Sequence, residues 1–130
     1  MAIRIVRLGS SRDKDEGLRI GTVRRPPRGV RKDEYASRNF YDVWFPNLSP
    51  SEGLLREARA AEDTNSWLVF KRKFVAEMKS TEASKILDLL AALSHQTNFS
   101  LGCYCEDDTR CHRSILREQA RKDIRWNESS

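Results

Sequence analysis

Cys103, Cys105, Cys111 and His112 fall within ten positions, in the stretch FSLGCYCEDDTRCHRSILREQAR from Phe99 to Arg121. Thiols and an imidazole this close can hold a borderline metal such as zinc. Alternatively, a thiolate can attack as a nucleophile with the histidine as acid and base. Cys111 is the candidate nucleophile and His112 the candidate acid/base. Both fall at or near the first turn of an expected helix, where free N–H groups and the helix dipole favour an anion. Glu106, Asp107 and Asp108 oppose this, since they repel anions and raise a cysteine pKa. The spacing is also Cys105-x4-Arg110, not the Cys-x5-Arg of a phosphatase loop. For a metal, Cys103, Cys105, Cys111 and His112 supply zinc-type ligands, and Cys103 and Cys105 share one strand face. Their Cys-x-Cys spacing is not the paired Cys-x2-Cys knuckle, and neighbours such as Cys111 and His112 diverge on a helix. The plain alternative makes the cysteines small buried apolar residues and His112 a satisfied helix residue.

A second group of chemically capable residues is the loop RRPPRGVRK, Arg24 to Lys32. Residues 1–50 carry 11 Lys and Arg against 6 Asp and Glu, whereas residues 51–130 carry 13 of each. The whole excess of +5 therefore lies in the first part. Such a stretch is an electrostatic footprint for phosphate or nucleic acid. Arg24, Arg25 and Arg28, with Arg113, are the candidate substrate-binding residues, because guanidinium groups hold phosphate through paired hydrogen bonds. Two other readings compete. The loop can be solvated, with its arginines paired to Asp33 and Glu34. It can also serve a non-catalytic nucleic-acid binder, together with the i, i+4 series Arg113, Arg117 and Arg121. Only Tyr35 and Phe40 stand near it as stacking platforms.

These groups need elements to position them. Ile3 to Leu8 and Leu18 to Val23 predict strands, and Tyr41 to Phe45 a short one. Phe99 to Cys105 predicts a buried strand, in which Gly102 permits a close approach. Ser49, Pro50 and Glu52 have capping-box spacing and predict a helix to about Ala61. Asp63 to Ser66 breaks that helix and caps the next, whose Trp67, Phe70, Phe74 and Met78 form a core-facing stripe. A third helix is expected over Glu82 to Leu93, with His95 at its end on the surface. The last is expected from Cys111 to Lys122, capped by Asp108 or Thr109, with Trp126 folding back on the body. Strands joined by such helices pair in parallel. The second strand and the Phe99–Cys105 strand should then be central and open at one edge. There Arg24, Arg25 or Arg28 would meet Glu106, Asp107 or Asp108.

At 130 residues, the chain is sized for one domain with one core. The expectation is a single α/β domain over residues 1–126, three-layered, with helices packed on a largely parallel sheet and a frayed tail at 127–130. No run of 18 apolar residues predicts a membrane span. The N-terminus has no apolar leader core, and three clustered cysteines argue for a reduced, cytoplasmic protein.

Three segments carry a family resemblance. LRIGTVRRPPRG, YDVWFPNLSPS and LGCYCEDDTRCHRSIL resemble the strand-and-arginine loop, the Tyr-Asp-x-Trp segment and the Cys…Cys-His-Arg signature of the domain of unknown function 488 family, including its YeaO-like branch. The resemblance spans most of the chain and implies a small three-layer α/β domain. It assigns no activity. Many relatives have Cys-x-Glu where this chain has Cys103-Tyr104-Cys105, and YeaO-like members have Asp where it has Arg24. The resemblance therefore brings no carboxylate mechanism. The composite expectation is a site between the Arg24–Lys32 loop and the Cys105–Arg113 junction. It would bind, and as a further step transform, a phosphate-bearing small molecule or nucleotide.

Overall fold

Alternating apolar residues and helix caps produce the expected elements, with a few shifts. A computed structural model describes residues 3–105 and 111–129, with side chains as far as Ala120. Four strands form one sheet: β1 (Ile3–Arg7), β2 (Leu18–Gly21), β3 (Val43–Trp44) and β4 (Phe99–Cys103). Their order is β1-β4-β2-β3 and every pairing is parallel. β4 and β2 are thus the central pair, as parallel crossovers require. Four helices follow: α1 (Glu52–Ala60), α2 (Thr64–Glu77), α3 (Thr81–Leu93) and α4 (His112–Ser129). The protein is therefore a single α/β domain.

The main core lies between the helices and one sheet face, where Ile3, Ile20, Phe99 and Leu101 meet Phe70, Phe74, Leu90 and Leu116. This face follows from strand alternation and from the stripes on the helices. The opposite face carries Arg19, Gly21, Ser100 and Gly102, and the covering layer there is made of loops. Tyr41 packs over Gly21 and Leu8 over Gly102, so any side chain at either glycine would collide with them. The close approach expected at Gly102 is thus made by a leucine of the same chain.

Two helix ends differ from expectation. Ser49 does not cap α1. It closes a 3-10 turn over Pro46–Leu48, donating its N–H to the Pro46 carbonyl. The cap is Ser51, whose Oγ accepts from Leu54 N at 3.4 Å. The Pro46 turn takes up Ser49 first, and Ser51 then reaches the orphan N–H of N3. Ser51→Ala should cost about 1 kcal/mol in urea unfolding; an unchanged midpoint would assign the helix start to other contacts. α4 continues past Lys122, because no Gly or Pro interrupts it. His95 is exposed just beyond α3. The expected acidic turn of Glu106, Asp107 and Asp108, the Asp108 or Thr109 cap, Arg110, and the side chains of Arg121 and Trp126 lie outside the described residues. Among the described residues, no helix is long and apolar enough to cross a membrane.

Candidate functional site

The C-terminal ends of β2 and β4 lie side by side, with Gly21 opposite Gly102. The chain after β2 enters the arginine loop, and the chain after β4 leads to the cysteines. Parallel pairing alone therefore brings the two candidate groups to one edge, the usual place for a ligand in an α/β sheet. A cleft of about 640 Å³ opens there. Arg24, Arg25 and Arg28 line one side, Arg56 and Arg59 of α1 another, and Cys103, Cys105 and His112 the floor.

Local bonds hold the walls. Arg24 Nε donates to the Pro50 carbonyl at 3.1 Å, and Tyr104 Oη donates to the Arg25 carbonyl at 3.0 Å. Trp44 Nε1 donates to the Val23 carbonyl at 2.6 Å. The loop is thereby pinned to the segment just before α1, to β3 and to the residue after β4. Arg25 pairs with Glu52 across the rim at 3.1 Å, but both groups are well exposed, so the pair is screened and weak. Glu52 is the one carboxylate among the described lining residues, against five guanidinium groups. Among the described lining residues the charge is strongly positive.

On the floor, His112 is buried against Phe74, whose ring meets it edge-on at 5.7 Å. Its Nε2 lies 2.6 Å from the Thr22 carbonyl and 3.0 Å from Thr22 Oγ1. A carbonyl only accepts, so Nε2 carries the proton. The Thr22 hydroxyl gives its own hydrogen to the Gly102 carbonyl at 2.9 Å, leaving its oxygen to accept from the imidazole. Burial pushes the imidazole pKa down to about 4, so the ring is neutral at neutral pH. Nδ1 is then a bare lone pair. It faces Cys111 Sγ at 3.8 Å and Cys103 Sγ at 3.9 Å.

Adjacent positions on a helix diverge, yet Cys111 and His112 converge. Cys111 lies just before the first residue of α4, so helical geometry does not separate the pair. Cys105 completes the group, 3.5 Å from Cys103, which donates to it. Hydrogen bonds from Cys103 and Cys111 hold the Cys105 thiol low, aided by the charge of Arg113. The donors move the other way. Cys103 is pushed up to about 11 by its bond to Cys105, with burial adding to it, and Cys111 is raised by its bonds to Cys103 and Cys105.

Two expected roles change. Cys111 is buried and does not line the cleft, whereas Cys105 is exposed and does. Arg113 is also buried, at 2% exposure, and does not face the cleft. Its Nη1 donates to the Val6 carbonyl at 2.7 Å and more weakly to that of Cys103 at 3.4 Å. A guanidinium stays buried where carbonyl oxygens accept it, so Arg113 ties α4 to the sheet instead of offering a substrate-binding group. It also removes the first member of the expected arginine stripe on α4. Reading the Arg24–Lys32 loop as the basic wall overlooked Arg56 and Arg59. Their i, i+3 spacing on a capped helix, which puts both on one face, was the available signal.

Residues 3–123 match the family described as the active DUF488-N3 subclade, DUF488-N3a. The chain belongs to this family. No curated protein and no solved structure matches it.

Proposed function

We propose, taking membership of this active subclade as the premise, that the chain binds a phosphate-bearing small molecule or nucleotide in the arginine cleft. The observation that carries this reading is the convergence of five arginines from two separate segments on one concavity. Arg28, Arg56 and Arg59 are exposed, so their guanidinium groups are available to a ligand. Planar guanidinium groups suit phosphate oxygens. The cleft volume of about 640 Å³ falls within the range of small-molecule sites, which favours a small ligand over a polymer lying on a flat track. With Arg113 buried, a continuous basic stripe on α4 lacks its first residue, which further favours the small ligand over nucleic acid. The exposed Cys105 lies in the same cleft, where it would face a bound phosphate.

Titration with a nucleoside diphosphate at low salt tests the reading. Arg28→Glu and Arg56→Glu should each weaken binding at least about tenfold, the loss of one charge-assisted contact. Thermal stability should hold, because both side chains are exposed. Added salt should weaken the wild-type interaction as well. Affinity that is indifferent to both reversals and to salt would remove the anion site.

A further inference from the structure

We propose that Cys103, Cys105, Cys111 and His112 form a tetrahedral zinc centre at the floor of the cleft. This stands on the geometry of the sulfur and nitrogen atoms and is independent of the anion reading. One ligand atom each from Cys103, Cys111 and His112 lies within 4.8 Å of the others. Zinc–sulfur bonds of about 2.3 Å and zinc–nitrogen bonds of about 2.0–2.1 Å give tetrahedral edges of about 3.8 Å between sulfurs and about 3.6 Å between sulfur and nitrogen. The protein has 3.5 Å between Cys103 and Cys105, and 3.8 and 3.9 Å from Nδ1 to Cys111 and Cys103. These three spacings match tetrahedral edges to within a few tenths of an ångström; Cys105 lies outside the set of ligand atoms mutually within 4.8 Å, so its thiol must move inward from beside Cys103 to take the fourth position.

The imidazole is already in the form a metal requires. Nε2–H is committed to the Thr22 carbonyl, and Nδ1 presents its lone pair to the thiols. A backbone carbonyl on the far nitrogen is the usual support of a metal-bound histidine, because it fixes both tautomer and ring angle. The order of burial is also informative. Cys103, Cys111 and His112 are buried, while Cys105 closes the group from the cleft side. Three thiolates and one neutral imidazole would leave the zinc centre with a net charge of −1. Arg113, which acts electrostatically on Cys105, and the positive end of α4 offset it. Binding releases to solvent whatever protons the thiols still hold, with loss of the S–H hydrogen bonds those protons made. Thiolate-rich donor sets select zinc over the harder divalent ions.

The test uses the full chain, reduced and stripped with a chelator, then titrated with cobalt and zinc. The expected result is one metal per chain, with a thiolate-to-cobalt absorption band and the intense visible bands of a tetrahedral ion. Zinc should displace the cobalt. Cys105→Ser, at an exposed position, should lower the thiolate band by about a third, since two of three sulfurs remain. Cys111→Ser should weaken zinc more than about 100-fold, beyond the range for losing an outer-shell partner. If Cys111→Ser does not fold, Cys105→Ser still decides. Reduced protein that binds no cobalt contains only S–H···N hydrogen bonds here, and the centre does not exist. An undiminished band in Cys105→Ser would remove that residue as a ligand and overturn the four-ligand centre. Metal loading should be unaffected by Arg28→Glu, so the two readings fail separately.

Discussion

Replacing Arg19 with Met is expected to destabilise the fold by about 3–5 kcal/mol at neutral pH, the cost of leaving one partner of a buried ion pair alone. Arg19 is fully buried and Glu16 is 3% exposed. Their ion pair closes at 2.7 Å, from Arg19 Nε to Glu16 Oε1. The remaining donors reach the carbonyls of Ser10 at 2.8 Å, Asn39 at 2.6 Å and Ser11 at 3.2 Å. One side chain thus fastens the segment after β1 and the segment before β3 to the sheet. Glu16→Gln with Arg19→Met should recover part of the loss, since no unpaired charge remains.

The same pair sets an acid limb. Burial alone would raise the Glu16 carboxyl. The hydrogen bonds from the Arg19 side chain and the Asp13 backbone, with the guanidinium charges of Arg19 and Arg12, outweigh it and hold Glu16 below its ordinary value. Asp42 behaves alike: burial raises it, and bonds from the Arg12 side chain and the Arg19 N–H lower it further. Both folded pKa values lie below the unfolded ones. Their contribution is therefore complete above the unfolded pKa and is lost as pH falls through the folded value. In Arg19→Met, Glu16 becomes a buried carboxylate without its cation and its pKa rises, so the difference from wild type should shrink as the pH falls from that raised value towards the lowered value Glu16 has in wild type. Urea unfolding at pH 7 and in acid checks this. A loss within 1 kcal/mol at pH 7 would show that the pair contributes little beyond a hydrophobic replacement.

Phe74→Ala should cost a similar amount, about 3–5 kcal/mol. The ring is fully buried, stacked on Phe70 at 6.0 Å and in edge contact with His112 at 5.7 Å. Deleting it opens a cavity beneath the imidazole. The loss should therefore appear twice, as lower stability and as a loosened His112. Phe74→Leu keeps most of the volume and should cost under about 1.5 kcal/mol. The histidine ring resonances read the second effect, and they should broaden or shift in the alanine variant alone. Equal losses in both variants would mean that the aromatic contact with His112 has no particular part in holding the site.

Strand and helix identity were legible in the sequence because they depend on neighbours. LRIG and FSLGC are short apolar runs, Asp63 caps within its own turn, and Phe70, Phe74 and Met78 share a stripe that buries as expected. Parallel pairing of β2 with β4, and with it the meeting of the arginine loop and the cysteine stretch, followed from connection rules alone. The family was readable too, since its motifs are contiguous. Only the tertiary structure decided the fate of individual charges. Nothing local marks Arg19 as buried, because its acceptors at Ser10, Ser11 and Asn39 come from segments that meet only on folding. Arg113 and Arg28 look alike in sequence. The carbonyls of Val6 and Cys103 draw the first inward, while the second stays at the cleft. The cysteine cluster was visible as composition, but its geometry was not. It depends on β4 ending at Cys103, α4 starting at His112 and the Thr22 carbonyl fixing the imidazole, and that carbonyl is 90 residues away in the chain.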